Sequence, residues 1–106
     1  MTDTLDRLQK TIAARRAADP DSSYVARLFA SGRPKIVQKV GEEAVETVIA
    51  AMAGDRKGVV SEASDLIFHL AVLLAEQGLG FDDIFAELDR REGLSGLAEK
   101  AARADS

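Results

Sequence analysis

The sequence predicts a single all-α domain, and three observations support this fold class. Apolar residues recur three or four positions apart along most of the chain, which is the spacing of an amphipathic helix. No segment shows the sustained apolar and polar alternation of a half-buried strand. The 106 residues include no cysteine, but a chain of this length buries roughly two thirds of its unfolded surface and can form a core without disulfides.

Turn-forming residues divide this helical pattern into six predicted helices. The cluster from Asp19 to Ser23 ends the first helix, and Gly32 ends the second. Pro34 suits the first turn of the third helix, because the N–H that it lacks would have no partner there. Gly54 and Gly78 are typical residues to stop the third and fourth helices. The predicted helices run from Leu5 to just before Asp19, from Tyr24 to Ser31, from Pro34 to Ala53, from Asp55 to Gln77, from Phe81 to Arg91 and from Ser95 toward Ser106.

The two longest predicted helices carry different patterns when residues are placed at 100° intervals. The helix that begins at Pro34 has an apolar arc of Ile36, Val40, Ala44, Val48 and Met52. Its other side carries Lys35, Lys39, Glu43 and Glu46. The helix from Asp55 to Gln77 is apolar almost all round, which predicts burial on most faces. Its one polar stripe comprises Glu62, Asp65, His69 and Glu76.

Two acidic pairs at helical spacing, Glu43-x-x-Glu46 and Glu62-x-x-Asp65, are the strongest functional signal. Residues three apart lie on one helix face, about 5–6 Å between Cβ atoms, so each pair can direct two carboxylates at one point. Either neighbouring basic residues neutralise these acids as a buried ion-pair network, or the acids bind a divalent cation. Oxygen ligands alone favour Mg²⁺, with Mn²⁺ as a possible substitute, over zinc or iron.

The charges of the chain limit its possible partners. Its formal net charge of −4 argues against nucleic-acid binding, which needs a basic face. No window approaches the length of a membrane span and the first ten residues do not form a signal peptide, so we expect a cytoplasmic protein without a membrane partner. A basic cluster before the first acidic pair suits a phosphorylated ligand, or else forms a solvated helix edge, and could equally supply the ion-pair partners of the acids. It comprises Arg27, Arg33, Lys35 and Lys39.

Three further residues each allow two interpretations. Gly41 costs roughly 1 kcal/mol relative to alanine inside a helix, so it is either tolerated or allows another helix or a substrate to approach closely. His69 is a hydrogen-bonded core residue or an outer partner of the metal site, and we do not expect it to be a ligand because Mg²⁺ rarely binds imidazole. Tyr24 faces a substrate or only starts a helix.

Three stretches carry a more specific pattern, namely SYVARLF at 23–29, PKIVQKVGEEAVE at 34–46 and EASDLIFHL at 62–70. Together they closely resemble phosphoribosyl-ATP pyrophosphohydrolase of histidine biosynthesis, a family of the all-α, MazG-like nucleoside triphosphate pyrophosphohydrolases. The metal signature of that superfamily is E-x-x-E followed by E-x-x-D on the next helix. The resemblance spans roughly residues 23–91, which we take as the core of one domain covering 1–106.

The resemblance implies Mg²⁺-dependent hydrolysis of phosphoribosyl-ATP to phosphoribosyl-AMP and pyrophosphate by a helical bundle that homodimerisation completes. Glu43, Glu46, Glu62 and Asp65 would hold the metal. Glu42 is a candidate to orient water or to take part in a second metal site. The candidates for contacts with the substrate are Lys35, Lys39, Tyr24 and Arg27.

Two other functions remain open at the level of sequence. A related enzyme that removes non-standard nucleoside triphosphates would use the same four acids, and only the stretches around Tyr24 and Lys39 favour the histidine pathway. A non-catalytic helical dimerisation module would keep its acids in ion pairs, and Mg²⁺ with nucleotide would not stabilise it.

Overall fold

The computed structural model of the chain describes residues 2–93 together with 96, 100 and 103. The described residues form five helices and no strand, which confirms the all-α class. The helices are α1 (Thr2–Arg15), α2 (Tyr24–Ser31), α3 (Arg33–Met52), α4 (Arg56–Glu76) and α5 (Phe81–Arg91). The bounds of α2 and α5 agree with the prediction. The predicted last helix, from Ser95 toward Ser106, lies mostly outside the described residues.

Local side-chain contacts explain where several helices begin. The Ser23 hydroxyl accepts a hydrogen bond from the N–H of Ala26 at 3.2 Å, and the Asp55 carboxylate accepts one from Gly58 at 2.9 Å. These bonds satisfy N–H groups that have no partner in the first turn of a helix. Gly32 joins α2 to α3 at φ 90° and ψ 173°, a backbone conformation that only glycine adopts without strain. The chain can therefore turn sharply between these two helices.

The hydrophobic core lies at one end of the long helices. It joins α1, α2 and α5 to the beginning of α3 and the second half of α4. Its buried members are Ile12, Val25, Leu28, Ile36, Ala71, Val72, Leu74 and Phe81. Since α1, α2 and α5 are short, they cover only this end, and the first half of α4 and the second half of α3 extend beyond them.

The second half of the apolar arc of α3 is therefore exposed in the single chain. Val48 is 60% exposed and Met52 is 84% exposed, and on α4 Val60 is 68% exposed. Five of the seven residues of α3 that are buried or half-buried repeat at alternating steps of four and three, as in a helix pair packed along a 3.5-residue seam. These five are Ile36, Val40, Glu43, Thr47 and Ala50, and the other two are Lys39 and Ala44. The prediction that α4 is buried on most faces is wrong for the single chain, since its first half has no buried residue.

α4 also corrects the expectation about membrane-length segments. It has 21 residues, and an 18-residue window within it reaches a mean hydropathy of 1.6, so by length and composition it could cross a membrane. Such a helix is weak evidence of a span, because a core helix of a water-soluble protein passes the same test. The chain itself buries 22% of that window. Much of the apolar surface of α4 is thus exposed in the single chain.

Candidate metal centre

The hairpin of α3 and α4 brings three predicted metal ligands together. Oxygen atoms of Glu43 on α3 and of Glu62 and Asp65 on α4 lie within 4.8 Å of one another. Glu43 and Glu62 are half-buried and Asp65 is exposed, so the cluster is open on one side. Glu43 belongs to the packed seam of α3, which explains why its carboxylate points toward α4.

The proximity of these carboxylates changes their proton affinity. Burial raises the pKa of Glu62 above its usual value, and a hydrogen bond with Glu43 and the charges of Glu43, Asp65 and Glu46 raise it further. Like charges at this spacing repel one another, so the cluster favours either a shared proton or a cation. The donor set consists of carboxylate oxygens alone, which suits Mg²⁺ or Mn²⁺.

Glu46, the fourth predicted ligand, lies outside this group of three. It is exposed, and its charge acts on Glu62. It lines an open groove on α3 of about 460 Å³, next to the acidic cluster. The other lining residues are Val37, Gln38, Gly41, Glu42 and Val45. In this structure the four acids therefore divide into a cluster of three and one neighbour.

Lys39 is paired with the acids rather than free. Its Nζ atom lies 3.4 Å from Oε1 of Glu42 and 3.5 Å from Oε1 of Glu43. Partial burial lowers the pKa of Lys39, but the charges of Tyr24, Glu42 and Glu43 and a hydrogen bond with Glu42 outweigh it, so the pKa is raised. The ion-pair hypothesis thus holds for Lys39.

Glu42 lies beside the cluster on the exposed side of α3. Gln38 donates a hydrogen bond to its carboxylate at 2.9 Å, and this bond is the largest cause of a lowered pKa. Lys39 and, more weakly, Lys35 lower it further. Glu42 therefore stays ionised. Gln38 was not among the predicted site residues, although its position four residues before Glu42 was a usable signal.

Tyr24 and His69 connect α2 to the centre. His69 is buried, and its Nδ1 atom lies 2.7 Å from the carbonyl oxygen of Asp65, so this nitrogen must be the donor. In the neutral ring Nε2 then accepts a hydrogen bond from the Tyr24 hydroxyl, 2.8 Å away. The ring of Phe68 stacks on Tyr24 with centroids 6.0 Å apart. No sequence pattern predicted this contact of Phe68.

The Tyr24→Phe variant is expected to lose about 1–3 kcal/mol of unfolding free energy, because it leaves the buried Nε2 of His69 without a donor. Urea denaturation followed by circular dichroism measures this loss. In a His69→Leu background the same change should cost much less, since the partner is already gone. An equal cost in both backgrounds would contradict the proposed hydrogen bond.

Two basic residues of the predicted cluster form contacts away from the three clustered acids. Arg27 donates a hydrogen bond from Nε to the carbonyl of Pro20 at 3.2 Å, which holds the loop before α2. Arg33 pairs with Glu76 at 2.9 Å, near the end of α4. Lys35 is exposed, one turn before Lys39. Of the four basic residues, only Lys39 forms an ion pair with the acids of the described centre.

Comparisons with known proteins place this chain among similar sequences. The family profile of phosphoribosyl-ATP pyrophosphohydrolases matches residues 5–92. Proteins named phosphoribosyl-ATP pyrophosphatase are similar over almost the whole chain. The one from Rhizorhabdus wittichii is 77% identical over 97% of each chain. Those from Erythrobacter litoralis and Zymomonas mobilis are 67% and 62% identical, over 96% and 98% of this chain and 98% and 97% of their own.

Proposed function

The chain belongs to the phosphoribosyl-ATP pyrophosphohydrolase family, within the MazG-like all-α superfamily, and we propose that the carboxylate cluster is its Mg²⁺-binding catalytic centre. The enzyme is a hydrolase of histidine biosynthesis that acts on a diphosphate bond of phosphoribosyl-ATP. This activity agrees with the function that the resemblance implied, and the names of the relatives favour it over removal of non-standard nucleotides. The observation behind this proposal is that oxygen atoms of Glu43, Glu62 and Asp65 lie within 4.8 Å of one another.

The residues of the cluster fit a hard divalent cation. Three acids from two helices meet at one open point. The charge of Glu46 acts on Glu62, which makes Glu46 the candidate to join them or to bind through water. When bound, Mg²⁺ would offset the charge of the phosphate oxygens and activate water for attack on phosphorus. Mn²⁺, which accepts the same ligands, is the expected substitute.

Other residues of the chain would position the substrate and the water. Ionised Glu42 can accept a hydrogen bond from a water molecule and so orient it. Lys39 and Lys35 supply positive charge for the phosphates, and we assign Tyr24 and Arg27 on α2 to other parts of the nucleotide. Tyr24 is 45% exposed beside the acids, which supports this assignment. His69 would act indirectly, by fixing the Tyr24 hydroxyl.

The stability of the metal-free protein is expected to depend on pH through Glu62. The pKa of Glu62 in the folded state lies above its value in the unfolded state. At pH values between these two pKa values the folded protein therefore binds more protons than the unfolded protein. Unfolding free energy should therefore fall as pH rises through this range, which begins at the usual glutamate pKa and extends above it. Thermal unfolding in a chelator over pH 4–8 measures this fall, with the pH limits chosen to span roughly the usual carboxylate and histidine ranges.

Glu62→Gln provides the control for this pH dependence. The variant should lack the Glu62 contribution and be more stable than the wild type at neutral pH without metal. Mg²⁺ should stabilise the wild type but not the variant. A variant with the same pH slope as the wild type would show that Glu62 does not hold the extra proton.

We further propose that two copies associate through the exposed apolar face of the hairpin. On α3 this face carries Val37, Val45, Val48 and Met52 along one side. Gly41 lies among them, and apart from its chain neighbours and the surrounding backbone of α3 no described atom lies within 4 Å of the position where its Cβ would be. A glycine that intrachain packing does not require supports close approach by a second helix. We also propose that the enzyme acts in the cytoplasm, where a charged nucleotide substrate is retained.

The direct test is release of pyrophosphate, scored separately from phosphate, from phosphoribosyl-ATP and from a panel of ordinary and damaged nucleoside triphosphates, each with Mg²⁺ and with chelator. We expect pyrophosphate from phosphoribosyl-ATP only when Mg²⁺ is present. Equal turnover in chelator would refute the metal centre, and preference for another triphosphate would reassign the substrate.

A further inference from the structure

Lys39 forms an ion pair with a carboxylate that the proposed metal centre requires, that of Glu43. Its ammonium lies 3.5 Å from Oε1 of Glu43, one of the three clustered acids, and 3.4 Å from Oε1 of Glu42. The side chain is 24% exposed, whereas that of Glu43 is 13% exposed. In the protein without metal, the ammonium of Lys39 thus already places a positive charge beside the cluster.

A divalent cation and this ammonium compete for the same carboxylate. Mg²⁺ binds oxygen ligands at about 2.0–2.1 Å, so a cation on Glu43 would bring two like charges close together. Lysine has a flexible stem and three donors that can rotate, so its ammonium can leave one acceptor for another. Glu43, on the packed seam of α3, is the less mobile partner.

Building on the proposed function, we propose that Lys39 is the resident counter-ion of the carboxylate cluster, and that a divalent cation displaces its ammonium from Glu43 and so releases it for the phosphates of the substrate. Metal binding and triphosphate binding then favour each other, because the metal frees the ammonium and the phosphates neutralise it. Lys39 is therefore a binding residue whose availability depends on the metal.

The surroundings of Lys39 fit such an exchange. Its charge acts on Tyr24 of α2 as well as on the two glutamates of α3 that it contacts. Lys35 is a natural comparison, since it is one turn earlier on the same helix and has the same charge. Among the described residues it forms no ion pair with an acid, and it acts on Glu42 only at a distance. Replacing Lys35 therefore measures how much the loss of one positive charge on α3, without loss of an ion pair, changes the affinity for a divalent cation.

The test is calorimetric titration with Mn²⁺ alone into the wild type, Lys39→Met and Lys35→Met. Loss of the competing ammonium should make Lys39→Met bind Mn²⁺ roughly fivefold tighter than the wild type, the size expected for partly exposed ion pairs. Lys35→Met should show a clearly smaller gain. Next, an ATP analogue with a methylene group between the α and β phosphates is titrated with and without Mn²⁺. Mn²⁺ should strengthen its binding less in Lys39→Met than in Lys35→Met.

Intrinsic fluorescence gives an independent signal. The chain has one tyrosine and no tryptophan, so its emission reports on Tyr24 alone. Adding Mg²⁺ should change this emission in the wild type, because Lys39 moves, and should change it much less in Lys39→Met.

Each outcome of these titrations decides the proposal. Equal Mn²⁺ affinities of the two lysine variants would overturn it, since a general charge effect would then suffice. No Mn²⁺ binding by the wild type would instead refute the metal centre itself. If Lys39→Met does not fold, Lys39→Gln takes its place. If neither folds, Lys39 is a structural counter-ion and the exchange is refuted.

Discussion

Asp65→Asn is expected to lower kcat by roughly 10³-fold, the size associated with loss of one key electrostatic group in an active site. The change removes a charge from the cluster but keeps the size of the side chain. The Asp65 carbonyl that accepts the hydrogen bond of His69 belongs to the backbone and is retained. Because the Asp65 side chain is exposed, the helical fold should also be retained. Steady-state pyrophosphate release and circular dichroism measure the two effects.

Asp89→Asn makes the same chemical change on the exposed surface of α5 and serves as the control. It should leave kcat within about twofold of the wild type, as expected for a surface substitution. Near wild-type turnover by Asp65→Asn would remove Asp65 from the metal centre. An equal loss in both variants would indicate a general effect of charge.

Val48→Asp is expected to dissociate the proposed dimer. Val48 is 60% exposed in the single chain and lies on the apolar face of α3 that we assign to the contact between copies. A two-fold interface contains each residue twice, so one substitution introduces two charges. Burying a carboxylate without a partner costs several kcal/mol, and about 3 kcal/mol already raises Kd by more than a hundredfold. Sedimentation at micromolar concentrations should show a mass near that of one chain.

Ala86→Asp adds the same charge to the exposed side of α5 and should leave the dimer intact. A wild-type chain that sediments as a monomer at all concentrations would show that a second copy does not cover this face. If both aspartate variants remain dimeric, the interface lies elsewhere on the chain.

The helices were predictable because glycine, proline and capping residues act locally. Gly32 ends α2 as the sequence predicted, and Ser23, the last residue of the predicted turn, caps its first turn. The facing of Glu43 toward Glu62 and Asp65 was also predictable from helical spacing. Burial along the apolar arc of α3 was not, because its members are four residues apart and each step of four turns the helix about 40° beyond a full turn. Val48 and Met52 therefore lie on a different side of α3 from the buried Ile36.

Details of the site depended on distances that spacing does not give. Glu46 and Glu43 are three residues apart on α3, yet only Glu43 lies on the seam. Lys39 fitted both the ion-pair and the phosphate hypotheses, and only the structure placed its ammonium against Glu42 and Glu43. The hydrogen bond between Tyr24 and His69 joins residues 45 apart in sequence, so no local pattern could predict it.

The part of the α3 and α4 hairpin that lies beyond the core affects how the protein unfolds locally. Beyond the core, these two helices are covered on few sides, and regions with little buried apolar surface unfold locally at lower free energy than the whole domain. Glu43 follows the buried Ile36 by two turns, and Asp65 precedes the buried His69 by one. A cation held by both helices would cross-link the hairpin just outside the core. An ion bound by the proposed centre would then also slow amide hydrogen exchange along the hairpin, so the proposed centre and the rigidity of the helices that hold it would depend on each other.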